Sequence, residues 1–287
     1  RTFSSAASDV YKRQDIIVEG EPETDSWAVD PRRYTNHVDL EYTKAKAIET
    51  YSHEYAMHFP QIQWPAGRPA KVSPIYDSLL KAGAVMGSYG GWERADWFTN
   101  NESLKKPANS YDRQHWFDDV SKECNHVAEH CGVIDLTGFS RFEISGEGTS
   151  QWLETLITGR LPKIGKVGLV YFSSHKGKVL TEMTATRISE DHTWLLTGAG
   201  AYWHDRDWLN FNLPESSNIK IVDTTHDLGT MLLTGPKSDL LIAKLTDEKT
   251  DNESFPWLSH KSIKLCGEDT RVLKVSYAGE KGFEIHV

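Results

Sequence analysis

The sequence has no apolar run that approaches the roughly 20 residues needed to span a bilayer. It also has no charged, apolar and small-residue signal at its start. The first absence argues against a membrane as a partner, and the second gives no support for export. We therefore expect a protein of the cell interior.

Cysteine is scarce, with three residues, and no cysteine or histidine spacing resembles a zinc site. Cys124 and Cys131 lie seven residues apart, two turns along one face of a predicted helix, so we expect them to be buried free thiols. The twelve histidines are scattered along the chain. The sequence thus predicts a reducing environment and no metal site.

Positive charge is in deficit, because 32 Lys and Arg residues stand against 41 Asp and Glu residues and leave a net charge of −9. This balance argues against general nucleic-acid binding. Hydrophobic residues at 38% and charged residues at 25% are ordinary for a soluble protein. A chain of 287 residues is long enough for a full core and more than one unit.

Composition divides the chain into four parts. Residues 1–14 look foreign to the rest of the chain, and we expect a non-native leader there. Residues 15–98 are irregular, and residues 99–110 are polar and contain proline, which is typical of a linker. Residues 111–287 are regular and form the last domain. Because the chain stops at Val287 inside an apparent strand, we expect a fragment of a longer protein.

The hydrophobic pattern predicts an α+β fold with mixed or antiparallel sheets. Before the linker it indicates a short strand and a loop over 15–34, a helix over 36–58, and a packed loop over the glycine-rich and aromatic run 86–98. After the linker, short strands alternate with helices, and several strands follow one another in hairpin order. The first of these strands is predicted over 133–144.

The last segment carries a candidate binding turn. Gly279 and Gly282 suit a tight turn between two strands, because glycine adopts positive φ at low cost. Tyr277 precedes this turn, and Glu284 follows it next to Phe283. An aromatic ring and a carboxylate brought together there can stack on a flat heterocycle and bind its N–H edge. An ordinary hairpin with a surface glutamate remains the alternative.

Short motifs recur in a fixed order along the chain. They are Glu19-Gly20-Glu21-Pro22, Asp30-Pro31-x-Arg33-Tyr34, Ala66-Gly67-Arg68-Pro69, Gly90-Gly91-Trp92-Glu93-Arg94 with Trp97-Phe98, Gly132-Val133-Ile134-Asp135-Leu136-Thr137, Leu161-Pro162-Lys163-Ile164-Gly165, Leu233-Thr234-Gly235-Pro236 and Tyr277-Ala278-Gly279-Glu280-Lys281-Gly282-Phe283-Glu284. This ordered set resembles the flavin-dependent dimethylglycine/sarcosine dehydrogenase family. The C-terminal half of that family is similar to the T-protein (aminomethyltransferase) of the glycine cleavage system.

The resemblance implies that 15–98 is the end of an FAD-dependent oxidoreductase with its central linker domain, and that 111–287 is a truncated folate-binding domain. It implies tetrahydrofolate as a cofactor here, FAD in an absent N-terminal half, and a methylated amine as substrate. The place would be the cytoplasm, or the mitochondrial matrix in a eukaryote. A fragment of this kind should be inactive by itself.

By residue match, Tyr277 packs on or near the pterin, and Glu284 accepts from its amino and N–H donors. Ala278 stands where many relatives have Thr, which removes one hydroxyl. T-proteins carry an acidic pair on the strand that matches 179–188, and here Thr181-Glu182 replaces it, so Glu182 is the candidate catalytic residue. A solvent-facing glutamate is its alternative.

Tyr171 is a weaker candidate for lining the folate, with a core aromatic as the alternative. A different class of protein also remains open, since the regulatory subunit of pyruvate dehydrogenase phosphatase shares this architecture and acts by binding a protein. A stand-alone transferase without flavin is disfavoured, because residues 15–98 would then have no purpose.

Overall fold

The structure is a computed structural model that describes residues 13–20, 27, 30–277 and 279–287. Most of the predicted leader, the Glu21-Pro22 half of the first motif and Ala278 lie outside the described residues.

The described residues form helices and strands in the order expected of an α+β chain. The helices are α1 (residues 13–19), α2 (Leu40–Ser52), α3 (Tyr76–Lys81), α4 (Phe117–Glu129), α5 (Thr149–Leu156), α6 (Tyr202–Phe211) and α7 (Ser238–Ile242), with short 3₁₀ helices at Pro31–His37, Glu102–Leu104 and Ala199–Ala201. The strands are β1 (Ala84–Tyr89), β2 (Trp92–Phe98), β3 (Gly132–Asp135), β4 (Ser140–Ser145), β5 (Val167–Ser173), β6 (Val179–Ser189), β7 (His192–Thr197), β8 (Lys220–Asp223), β9 (Thr230–Thr234), β10 (His260–Leu265), β11 (Glu268–Leu273) and β12 (Gly282–His286).

The strands build one hairpin and two five-stranded sheets. Strands β1 and β2 form the hairpin, sheet I has the order β5-β6-β7-β4-β8, and sheet II has the order β10-β11-β12-β9-β3. Every pairing between these strands is antiparallel. The α+β fold with antiparallel sheets is therefore confirmed.

The glycine-rich run 86–98 belongs to the β1–β2 hairpin, so the prediction of a packed loop was wrong. Gly90 and Gly91 have φ angles of 58° and 84°, which is the pair of positive values that a tight two-residue hairpin turn needs. Gly87 lies against the carboxylate of Asp96, where a Cβ would come within 2.2 Å of an oxygen. The irregular composition thus reflects close packing within a hairpin.

Two other predicted strands differ from the structure. Residues 13–19 are helical instead of extended, and the Gly20 amide donates to the Ile16 carbonyl (3.1 Å) before the chain leaves at a φ of 80°. A glycine in this conformation is a common helix stop. The strand predicted over 133–144 is two strands, because the chain turns after β3 in sheet II and enters sheet I as β4.

Three apolar clusters hold the layers together. One lies between sheet I and helices α5 and α6, a second lies on one face of sheet II, and the third lies between the sheets. The third cluster consists of Val167, Trp194, Leu196, Leu273 and Val275. The inner faces of sheets I and II therefore meet, and polar residues on those faces become neighbours.

The three cysteines are free thiols, but the burial expected of Cys124 and Cys131 was wrong. Cys124 and Cys266 are exposed and Cys131 is half-buried. Cys124 lies on α4, which contacts β2 and has no fully buried residue.

Across the part of the chain that the structure describes, no helix has the length and apolar character to cross a bilayer. Among the same residues, no group of three or more His, Cys, Asp or Glu side chains is placed to hold a metal ion.

Candidate functional site

Strand β12 brings the carboxylate of Glu284 between the two sheets. The strand lies inside sheet II, where Glu284 is opposite Leu273 of β11 and Leu232 of β9. Because side chains alternate along a strand, Phe283 and Ile285 enter the apolar cluster of sheet II, and Glu284 takes the opposite face. Glu284 is 2% exposed. The expectation of a surface glutamate is therefore excluded at this position.

Tyr277 directs its hydroxyl inward to the same point. The Glu284 carboxylate and the Thr184 hydroxyl of β6 lie close enough to this hydroxyl to influence its pKa. Burial of the hydroxyl, followed by the charge of Glu284, raises the pKa of Tyr277 well above its ordinary value. The residue as a whole remains 57% exposed, so much of the ring faces the outside. The ring lies near that of Phe139, with 6.3 Å between the centroids and a tilt of 33°, and an exposed aromatic ring can stack on a flat ligand.

Glu182 and Tyr171 form a second pair, on sheet I. They are directly opposite each other on β6 and β5. A hydrogen bond to Glu182 and the charge of that carboxylate raise the pKa of Tyr171. Both side chains are exposed, so Tyr171 is not a core aromatic. Neither the catalytic role of Glu182 nor the folate contact of Tyr171 is tested by this geometry, and both stay predictions.

The two pairs belong to one surface. Glu182 and Thr184 are two residues apart on β6 and share a face, about 6.6 Å apart along the strand. Thr184 meets the Tyr277 hydroxyl, which meets Glu284. We call this run of side chains, from Tyr171 through Glu182, Thr184 and Tyr277 to Glu284, the polar strip. It is exposed at Glu182 and buried at Glu284.

A buried network behind Glu284 was missed by the sequence reasoning. His286, 1% exposed, lies with its Nε2 atom 3.2 Å from Glu284 Oε2 and its Nδ1 atom 2.9 Å from Thr230 Oγ1. Arg141, fully buried, donates from Nη2 to Thr230 Oγ1 and from Nη1 to the Thr225 carbonyl (2.8 Å). The two-residue spacing of Glu284 and His286 was the available signal, since it places both on one face of a strand.

Burial controls the protonation of this network. It lowers the pKa of His286 below its ordinary value, although Glu284 acts in the opposite direction. Burial also lowers the pKa of Arg141 to about 10. His286 is therefore neutral at pH 7, whereas Arg141 keeps its charge.

A tryptophan of sheet I packs against this network. Trp194 is fully buried and meets the His286 ring edge-on, with 4.6 Å between ring centroids. The guanidinium of Arg271 stacks on Trp194 at 4.3 Å and donates to Glu143 at 2.8 Å. These contacts hold the His286 imidazole between the Trp194 ring and the Glu284 carboxylate.

The arrangement suits recognition of a flat ring with several N–H donors. An ionised carboxylate offers about four lone-pair positions, and His286 uses one of those on Glu284. The other positions lie beside Tyr277 in a buried place, since Glu284 is 2% exposed.

Comparison with known proteins identifies two families along the chain. The GCVT N-terminal domain matches residues 75–287, and the FAD dependent oxidoreductase central domain matches residues 19–73. The linker predicted at 99–110 lies inside the first of these ranges, and the domain boundaries stay a prediction.

Among curated proteins, the chain is 32% identical over 274 residues to mitochondrial dimethylglycine dehydrogenase of Rattus norvegicus, covering 95% of the chain and 32% of that protein. It is 25% identical over 318 residues to mitochondrial sarcosine dehydrogenase of Homo sapiens, covering 94% of the chain and 34% of that protein. The chain thus spans about a third of the length of these relatives.

A solved structure shares the fold. The glycine cleavage system aminomethyltransferase T from Bartonella henselae superimposes with a TM-score of 0.61 at 21% identity, over 76% of this chain and 53% of that one.

Proposed function

Because the chain belongs to the GCVT N-terminal domain family, we propose that it binds tetrahydrofolate as part of an FAD-dependent dehydrogenase of N-methylated amines. The observation that carries the proposal is the meeting of Tyr277 and Glu284 with Thr184, which joins a stacking surface to a buried acceptor. The substrate would be an amine of the dimethylglycine or sarcosine type, as the names of the relatives suggest. The place would be the cytoplasm, or the mitochondrial matrix in a eukaryote.

The polar strip fits the pterin of tetrahydrofolate by its chemistry. Glu284 would accept from the amino group and the ring N–H as a charged bidentate acceptor, which is among the stronger hydrogen bonds in proteins. Tyr277 would pack its exposed ring on the pterin. Tetrahydrofolate supplies the nitrogen that captures a one-carbon unit. FAD is proposed for the whole protein, and no residue of this chain is assigned to it.

Glu182 would handle a proton close to the bound ring. It lies at the exposed end of the polar strip, directly opposite Tyr171 of β5. A carboxylate in this place can accept a proton from a nitrogen as the nitrogen reacts and return it to water. The task of the chain would then be to orient the tetrahydrofolate nitrogen as a nucleophile. Correct orientation of two reactants accounts for a large part of the rate enhancement in bimolecular reactions.

The proposal is tested by titrating the chain with tetrahydrofolate and following tryptophan fluorescence and heat. We expect saturable binding, and we expect Glu284→Gln to weaken it about tenfold or more, because hydrogen bonds to a charged group contribute roughly 1.5–3 kcal/mol. The matched control is Glu280→Gln, which removes a carboxylate from the same turn. This control should bind as the wild type does.

Equal binding by the wild type and Glu284→Gln would contradict the assignment of Glu284. Absence of binding by the wild type would contradict folate binding altogether. That second outcome is the one expected of a protein-binding regulatory relative.

A further inference from the structure

We propose that His286 is a positioning residue that holds the carboxylate of Glu284 through a neutral imidazole with its proton on Nε2. Arg141 and Thr230 support this orientation from the opposite side. The inference rests on the proposed function in one respect only, namely that Glu284 contacts the ligand.

The direction of the hydrogen bonds follows from what each group can donate. Arginine only donates, so Thr230 Oγ1 accepts from Arg141 Nη2 and keeps one proton of its own. That proton can be donated to His286 Nδ1, which lies 2.9 Å away. If His286 carried its proton on Nδ1 instead, the Nε2 lone pair would face the Glu284 carboxylate at 3.2 Å. Two acceptors facing each other in a buried site repel, so the Nε2–H form is favoured.

The charges around the imidazole agree with a neutral ring. Glu284 is the one carboxylate within hydrogen-bond distance of His286 among the described residues, and it favours the protonated ring. Desolvation, which is the largest effect, and the charges of Arg141 on β4 and Arg271 on β11 all disfavour a positive imidazole, and together they outweigh Glu284. The ring is therefore a single-proton donor to Glu284.

Packing prevents the imidazole from changing partners. His286 is 1% exposed, and the edge-on Trp194 ring stands 4.6 Å from it. A flip of the ring would break the bonds to Thr230 and Glu284 at once and leave two buried groups unpaired. The Glu284 carboxylate thus has one oxygen fixed before any ligand arrives, which lowers the ordering cost of binding.

The first test reads the imidazole directly, without a ligand. We expect ¹⁵N NMR of the histidine-labelled chain to show His286 as the neutral Nε2–H form at pH 7, with its signal assigned by loss in His286→Gln. An Nδ1–H form or a cation at pH 7 would overturn the inference. This result does not depend on folate binding, so it separates the inference from the proposed function.

The second test compares two amides at position 286. The amide nitrogen of glutamine reaches the place of Nε2, and that of asparagine reaches the place of Nδ1. We expect His286→Gln to bind tetrahydrofolate within about threefold of the wild type and His286→Asn to bind about tenfold more weakly. Thermal unfolding of both variants monitors folding.

Three outcomes decide the matter. Rescue by glutamine but not by asparagine, at similar stability, supports a positioning role. Equal affinities for the two variants and the wild type would overturn it. If the wild type binds no tetrahydrofolate, the proposed function fails, and the NMR experiment alone decides whether His286 orients Glu284.

Discussion

Single residues between the sheets carry the chemistry of this molecule, and only some of them are visible in the sequence. Glu284 and Tyr277 were predicted because they flank a glycine turn, and the structure brings them together. His286 could have been added from its two-residue spacing. Arg141 and Thr230 could not, because they lie 145 and 56 positions before His286 in the sequence. Thr230 comes opposite His286 only when β9 pairs with β12, and Arg141 reaches Thr230 from β4 of the other sheet.

The buried imidazole makes stability depend on pH in a defined direction. Because burial lowers the pKa of His286, the unfolded chain binds more protons than the folded chain below the ordinary pKa of 6.5. The free energy of unfolding should therefore fall as pH drops below about 6.5, by at most about 1.4 kcal/mol per pH unit for one histidine.

We expect His286→Gln to show a shallower fall between pH 7.5 and pH 5.5, measured by urea unfolding. His37 and His260 also have pKa values lowered by burial, so part of the slope should remain. A slope unchanged in His286→Gln would mean that His286 is protonated equally in both states.

Secondary structure elements could be predicted where the hydrophobic period was clear and where the prediction did not depend on which sheet a strand joins. Strands β5 to β7 and helices α5 and α6 each have an apolar face on the cluster of sheet I, and this gives each of them a clear period. The stretch 133–144 has the alternation of a single strand, but its two halves belong to different sheets. Alternation indicates which face is buried and carries no information on which sheet buries it.

The hairpin turn offers a test of backbone conformation against side-chain packing. Gly91 has a φ of 84°, and a Cβ there would come within 2.5 Å of the His37 ring. Gly177, in the turn between β5 and β6, has a φ of 74° and open space around it. Alanine at either position adopts an unfavourable φ at a cost of about 1–2 kcal/mol, and Gly91→Ala adds a clash of about 1–3 kcal/mol.

We expect Gly91→Ala to lower the free energy of unfolding more than Gly177→Ala does, in urea titrations of the two variants. The difference between the two losses measures how tightly the hairpin turn packs against His37. Equal losses would show that His37 moves aside freely.

At the scale of the whole molecule, the two family matches are joined by an ion pair between a half-buried arginine and a buried glutamate. Arg68, in the range 19–73, donates to both carboxylate oxygens of Glu93, in the range 75–287, at 2.9 and 2.6 Å. It also donates to the Met86 carbonyl at 2.8 Å. Glu93 is 4% exposed, and its hydrogen bonds and charge raise the pKa of Arg68. Backbone bonds between Lys71 and both Gly91 and Glu93 (2.9 Å each) extend the junction.

Removing one member of the Arg68–Glu93 pair should lower the free energy of unfolding more than replacing both members does. Arg68→Met leaves a buried carboxylate without its partner, and we expect a loss of about 3–5 kcal/mol in the free energy of unfolding. The double variant Arg68→Met with Glu93→Leu replaces the pair with apolar groups and should recover most of that loss. Denaturant unfolding of the wild type, the single variants and the double variant measures the coupling energy. Additive losses would show that the pair does not join the two ranges, whereas strong coupling with one unfolding transition would show that they fold as one unit.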